Sequence, residues 1–150
     1  MAEQELREKR EFHHLSIGIQ KTGNTAYTFQ KAKELGIQTI LAEDFTSENF
    51  PHCVNRVTQF IEEIDIVYFT ICMDSFSAAF APGVSAVAYN GIIPDSKFVR
   101  LLRTIAKSEK LISFDIAELN PTFDIDQRTA KLAASFIYEV LSAYKPIQMQ

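Results

Sequence analysis

No tryptophan occurs in this sequence, and cysteine is limited to Cys53 and Cys72. The spacing of that pair matches no zinc or redox motif. So few thiols, with no apolar signal-type segment near residue 1, lead us to expect a reduced, cytoplasmic setting. Long apolar runs are missing too, and none approaches the ~20 residues a membrane span needs. Five glycines and five prolines are too dispersed to form a linker, and there is no internal repeat or low-complexity segment. Clustered basic charge is also lacking. The densest stretch, Arg7, Lys9 and Arg10, is diluted by Glu3, Glu5, Glu8 and Glu11 and reads as a solvated helix or frayed tail. With 15 basic residues against 19 acidic and a net charge of -4, nucleic acid is not an expected partner. The segment from Gly18 to Gly23 lacks the Gly-Lys-Ser/Thr ending of a phosphate loop.

What is present suits one soluble globular domain. The chain has 150 residues, 47% of them hydrophobic and 23% charged, enough to bury a core without cross-links. Twelve phenylalanines and five tyrosines predict a Phe-rich interior. Residues 1–11 form a charged lead-in, and 12–150 read as a single α/β domain. Phe12 to Ile19 is a short apolar run, read as a buried strand. Asn24 or Thr25 is placed to cap a helix over Ala26 to Leu35, which Gly36 ends by taking a left-handed conformation. Ile37 to Ala42 predicts a second strand. Pro51 opens a helix in which Val54, Val57, Phe60, Ile61 and Ile64 recur at helical spacing. Ile66 to Ile71, apolar throughout, suits a strand covered on both faces.

From Asp74 to Ile93 no period is visible, and a stretch of that length without regular structure points to function. Asp95 or Ser96 then caps a helix, Leu111 to Ile116 makes a fourth strand, and Asp126 is expected to cap a final helix over Thr129 to Tyr144. Strands alternating with helices predict parallel strands with right-handed crossovers. The expected architecture is therefore a three-layer αβα sandwich with a mainly parallel sheet of about four strands. Ligands in such sheets bind at the carboxyl ends of the strands.

Two carboxylates stand at those ends, Asp74 after the third strand and Glu118 after the fourth, and Asp115 lies near the end of the fourth strand too. Residues 72 and 74 share a side while strand geometry persists. Two hard oxygen ligands there would suit Mn²⁺ or Mg²⁺, but one of the pair is a thiol. On spacing alone, a turn-capping Asp74 and a packed Cys72 are the commoner arrangement. Glu118 follows a buried strand and precedes Asn120-Pro121. A carboxylate there either caps loop amides or pairs with a cationic amidine through two hydrogen bonds. Asp115, within an apolar run, needs a partner or a place at the strand mouth. His13 and His14 are adjacent and cannot share a ligand sphere; one is expected to pack and the other to lie at an interface. His52, beside Pro51, is expected to be exposed. A thiol-dependent activity at Cys72 would require a depressed thiol pKa.

Thr70 to Gly83 (TICMDSFSAAFAPG) resembles the Ser-x-Asp-x-Asp-x-x-Asp-Pro signature of the arginase (ureohydrolase) family, running into Ala-Pro-Gly. Ser113 to Pro121 (SFDIAELNP) resembles that family's Asp-x-x-Glu-x-Asn-Pro segment. The terminal helix, with Thr129-Ala130 and Leu132-Ala133-Ala134, is similar to its closing helix. Phe76 to Ala86, and Gly18-Ile19-Gln20 with Gly23-Asn24-Thr25, look most like the formimidoylglutamase branch. The resemblance runs from about residue 12 to 143.

The resemblance implies an arginase-like fold and hydrolysis of a C–N bond in a guanidino or formimidoyl group by hydroxide bridging two Mn²⁺ ions. It makes Asp74 the second aspartate of the metal pair, puts Cys72 at the position of the first, and makes Glu118 the acid that holds the amidine end of the substrate. The family's Gly-Gly-x-His and Asp-Ala-His-x-Asp motifs do not occur in this sequence, Ser77-Ala78 replaces Asp-Pro, and Val87 to Asn90 departs from a usually Pro-containing stretch. The chain is thus expected to start about halfway through the family fold. Two readings follow. One is the C-terminal portion of a formimidoylglutamase-like hydrolase, inactive alone, completed by a homo-oligomer or a complementary N-terminal half. The other is a non-catalytic α/β module acting through partner binding.

Overall fold

The computed structural model describes residues 12–146. The lead-in expected over residues 1–11 lies outside the described residues. Among the described residues four strands and four α-helices alternate: β1 (Leu15–Ile19), α1 (Ala26–Glu34), β2 (Gln38–Leu41), α2 (Phe50–Glu62), β3 (Val67–Cys72), α3 (Ser96–Ala106), β4 (Leu111–Ala117) and α4 (Arg128–Ala143).

The boundaries follow local chemistry. Thr25 caps α1 by accepting from the Thr28 amide, and Gly36 leaves the helix at a φ of 69°. There a Cβ would be strained, so glycine is the natural stop. Pro51 lies in the first turn of α2, where its missing N–H costs nothing. The far end of α2 is closed by a residue distant in sequence: Lys110 Nζ donates to the carbonyls of Ile61, Glu62 and Ile64 at 2.8, 3.1 and 2.6 Å. Those are carbonyls a helix end leaves without partners. Asp95 caps α3 through Oδ1, which accepts from the Lys97 and Phe98 amides.

At α4 the sequence expectation fails. Asp126 does not cap the helix; it has a φ of 54° within a short 3₁₀ turn. Asp124 takes the role instead, its carboxylate accepting from the Thr129 and Ala130 amides at 2.8 and 2.9 Å. The turn between them, with Gln127 also at positive φ, shifts the cap two residues upstream.

Among the described residues the four named strands pair in parallel, but as two separate pairs. β1 pairs with β2, and β3 with β4. β1 and β3 line opposite sides of an apolar groove of about 530 Å³, floored by residues of α2 and α3. The order across the molecule is therefore β2, β1, groove, β3, β4. At the carboxyl ends the two pairs meet: a Cβ built on Gly18 would lie 3.4 Å from Ser75 Cβ, just past β3. Right-handed crossovers place α1 on one face of this array and α2 and α3 on the other, because the chain reverses direction across the sheet after β2. The buried core agrees. Val57, Ile61, Leu101 and Ile105 pack with Ile40, Val67 and Leu111, and Phe76, Phe98 and Phe136 form an aromatic cluster with centroids 4.8 to 5.2 Å apart. By contrast α1 buries no residue.

Candidate functional site at the carboxyl ends of the strands

The segment from Met73 to Ile93 carries little regular structure, yet it is firmly held. Met73, Phe76, Ala81, Val84, Ala88 and Ile92 are buried. Ser77 N donates to Ile92 O at 3.0 Å, Ile92 N to Ser75 O at 2.9 Å, and Ala78 N to Ala88 O at 2.8 Å. Gly91 sits where this loop folds on itself; a Cβ there would come within 2.4 Å of the Phe76 carbonyl carbon. Gly83 ties the loop to the neighbouring elements, donating to Thr129 Oγ1 and accepting from the Asn120 amide, each at 2.8 Å.

This scaffold sets the three candidate side chains. Strand geometry stops at Cys72, and Met73–Ser75 makes one 3₁₀ turn. Met73 is fully buried, whereas Cys72 and Asp74 are half-buried. In the β3–β4 ladder Cys72 pairs with Ala117, so Glu118 is one residue past the cross-strand partner of the thiol. Glu118 adopts a φ of 65°, a conformation unusual for a side chain other than Gly, Asn or Asp. Such outliers persist where the surroundings over-determine them and cluster at functional sites.

The electrostatics link Cys72 and Asp74 to their acidic neighbours. Burial raises the Asp74 carboxyl above its ordinary value, and the charge of Glu118 raises it further. Burial likewise pushes the Cys72 thiol up, followed by Asp74, Glu118 and Asp115. A depressed thiol is what a thiol-dependent activity would need, so the structure runs against that reading. Asp115 has found its partners: Thr70 Oγ1 donates to it at 2.5 Å and the Tyr68 hydroxyl donates to its other oxygen. Those bonds, Thr70 first, hold its carboxyl below the usual range.

The histidines stand apart from this cluster. His13, His14 and His52 are all exposed, so neither residue of the adjacent pair packs in the interior. His14 Nε2 lies 2.9 Å from Ser16 Oγ, and its ring is 5.8 Å from that of Phe12.

A cavity of about 640 Å³ opens beside Asp74, between the ends of β1 and β3. Gln20, Thr22, Asn24, Asp74, Tyr89 and Asn90 are among the residues that line it. Reading the sequence for chemistry passed over most of these. Asn24 looked like a helix cap, but Thr25 caps α1 and Asn24 Nδ2 donates to Gln20 O at 2.9 Å. The signal was present in Gly18-Ile19-Gln20 and Gly23-Asn24-Thr25, the segments most like the formimidoylglutamase branch. Glu118 is not among the residues lining this cavity.

The donor set does not fit a dinuclear metal centre. Among the described residues no group of three or more His, Cys, Asp or Glu side chains is placed to hold an ion. Cys72 and Asp74 supply one thiol and one carboxylate. A soft thiol kept protonated is a poor ligand for a hard ion.

Comparison with known proteins identifies the family. The model of the arginase family matches residues 1–143, and the chain belongs to that family. It is 44% identical over 136 residues to a formimidoylglutamase of Staphylococcus epidermidis and 41% identical to one of Staphylococcus aureus. Each match covers 91% of this chain and 43% of the relative, so the chain spans less than half the length of these curated relatives. Solved structures share the fold. A formimidoylglutamase of Bacillus subtilis superposes with a TM-score of 0.79 at 19% identity, over 86% of this chain and 40% of that one. An arginase of Bacillus caldovelox superposes with a TM-score of 0.74 at 17% identity, over 91% and 43%. The architecture is that of an αβα sandwich half-fold. Among the described residues no helix is long and apolar enough to cross a membrane.

Proposed function

We propose that this chain is the C-terminal portion of a formimidoylglutamase-like hydrolase and that it supplies part of an active site it does not complete. The observation that carries the reading is the β3–β4 register, which brings Cys72, Asp74 and Glu118 to one strand mouth in the order the family segments require. The substrate class is a linear amidine, and N-formimidoyl-L-glutamate is the substrate suggested by the staphylococcal relatives. In the net reaction water adds at the formimidoyl carbon, the bond to the glutamate nitrogen breaks, that nitrogen takes a proton, and formamide leaves. Glu118 is assigned to the amidine end, where a carboxylate can accept two parallel hydrogen bonds. Asp74 is assigned as a metal ligand and Cys72 as the occupant of a ligand position. Two Mn²⁺ ions would then depend on groups from outside this chain.

The test is glutamate release from N-formimidoyl-L-glutamate with Mn²⁺ present. The chain would be assayed alone and co-expressed with the portion of the Staphylococcus epidermidis relative that it does not match. Turnover is expected only in the combined sample, greater in Cys72→Asp and lost in Glu118→Gln. Turnover by the lone chain that survives Asp74→Ala would overturn both the incompleteness and the metal role. A second reading, a non-catalytic module acting through partner binding, is favoured by the protonated Cys72 thiol. It predicts no turnover in any combination, Cys72→Asp included.

A further inference from the structure

Glu118 is the point at which the chain changes partners. Ala117, the last residue of β4, pairs in parallel with Cys72. Leu119, two residues on, forms an antiparallel bridge with Val84. Passing from one sense of pairing to the other in so short a span requires the backbone to reverse at residue 118, and the φ of 65° there is that reversal. Glycine makes such a turn without strain, whereas a glutamate in it is uncommon. A carboxylate is nevertheless kept at this place. Its conformation persists only where the flanking residues over-determine it. On the upstream side the β3–β4 ladder does so, reinforced by the bond from Thr70 Oγ1 to Asp115. On the downstream side the hold comes from Asn120, which has no part yet in the proposed reaction.

Asn120 is fixed through three groups. Its amide donates to Gly83 O at 2.8 Å, its Nδ2 donates to Ser85 Oγ at 3.2 Å, and its Oδ1 accepts from the Thr122 amide at 3.1 Å. The first two bonds reach the loop that begins at Asp74. The third closes the turn that follows, and Pro121 keeps Asn120 itself extended, at φ −113° and ψ 104°. The anchor on the other side is rigid. Val84 and Gly83 are buried, and a Cβ on Gly83 would lie 2.5 Å from Asp124 Cβ. Glu118 is exposed, so its place is set by these backbone anchors and not by packing of its own side chain. We infer that Asn120, with Ser85 as its partner, is a positioning residue for Glu118, holding the left-handed turn that keeps the carboxylate at the strand mouth. This assignment rests on the role given above to Glu118 at the amidine end of the substrate. Two parallel hydrogen bonds need both carboxylate oxygens in one orientation. A Glu118 released from the turn keeps its charge but loses that orientation.

The experiment is triple-resonance NMR on the chain alone, without Mn²⁺ or substrate, reading the Cα and Cβ resonances of Glu118, which differ between left-handed and extended backbone. In Asn120→Ala they are expected to move toward strand values, and in Ser85→Ala to move part of the way in the same direction. Asn120→Asp keeps the bond from Thr122 and can accept from the Ser85 hydroxyl, so it should leave them in place. Asp95→Ala removes the cap of α3 and should lower the urea midpoint without moving Glu118. A folded Asn120→Ala chain with Glu118 unshifted would mean that Asn120 serves stability alone, and would overturn the proposal. If Asn120→Ala does not fold, Ser85→Ala decides: a shift at Glu118 supports the proposal and its absence overturns it. An equal shift in Asp95→Ala would show that Glu118 responds to any loss of stability, which also overturns it. The readout is independent of hydrolysis. Expected shifts together with no turnover in the combined sample would leave the turn standing and count against the proposed reaction alone.

Discussion

A thiol in place of a carboxylate changes what the strand mouth can hold. Cys72 is surrounded by Asp74, Glu118 and Asp115, and its burial together with those negative charges favours the neutral form. The expected consequence is slow alkylation: iodoacetamide at pH 8 should modify Cys72 well below the rate of an exposed cysteine. Asp74→Asn removes one of the opposing charges and should speed modification severalfold, as followed by mass spectrometry. A Cys72 that reacts faster than free cysteine would refute this account. Asp74 and Glu118 were legible in the sequence because they follow apolar runs at strand ends. Gln20, Tyr89 and Asn90 were not, because polar residues in loops become cavity walls only when distant segments meet.

Helices and loops here owe their ends to contacts of different range. Thr25, Gly36, Pro51 and Asp95 act within a few residues of their helices, and their roles could be read directly. Asp124 and Lys110 could not: the first acts across a turn of two positive-φ residues, and the second reaches a helix nearly fifty positions away. Burial opposes ionisation of Asp124, but the Thr129 and Ala130 amides more than offset it and leave its pKa lowered. Its contribution is therefore fully present above its unfolded value, and is lost as the pH falls through the lower folded one. Asp124→Ala should cost about 1 kcal/mol near neutral pH, a typical loss for a helix N-cap. Urea melts should show the difference from the unsubstituted chain shrinking below about pH 4. A difference unchanged in acid would mean that the carboxylate charge has no part in the cap.

At the scale of the whole molecule, the chain spans less than half the length of the curated relatives it matches. Three helices and two strand pairs contribute to two buried clusters, yet among the described residues the sheet is open at its centre and the ligand set at its mouth is short of groups. Neither the chain nor Cys72→Asp should retain stoichiometric Mn²⁺ after loading and dialysis, because a second carboxylate still leaves the set short of the several oxygen or nitrogen donors Mn²⁺ requires. Atomic absorption on the two dialysed proteins would check this. Metal retained by Cys72→Asp alone would show that the thiol is the sole defect.

Periodicity and end signals in the sequence determined the order of the four strands and four helices, the parallel sense of pairing and the gathering of Cys72, Asp74 and Glu118 at the carboxyl ends. Those features depend on residues close in the chain and on the handedness of L-amino acids. Only the tertiary structure decided that β1 and β3 remain unpaired neighbours, that Asp124 and not Asp126 caps α4, and that the loop from Met73 to Ile93 is a buried scaffold. Each of these depends on which surfaces meet, and the hydrophobic pattern of a strand records that it is buried without recording what lies beside it.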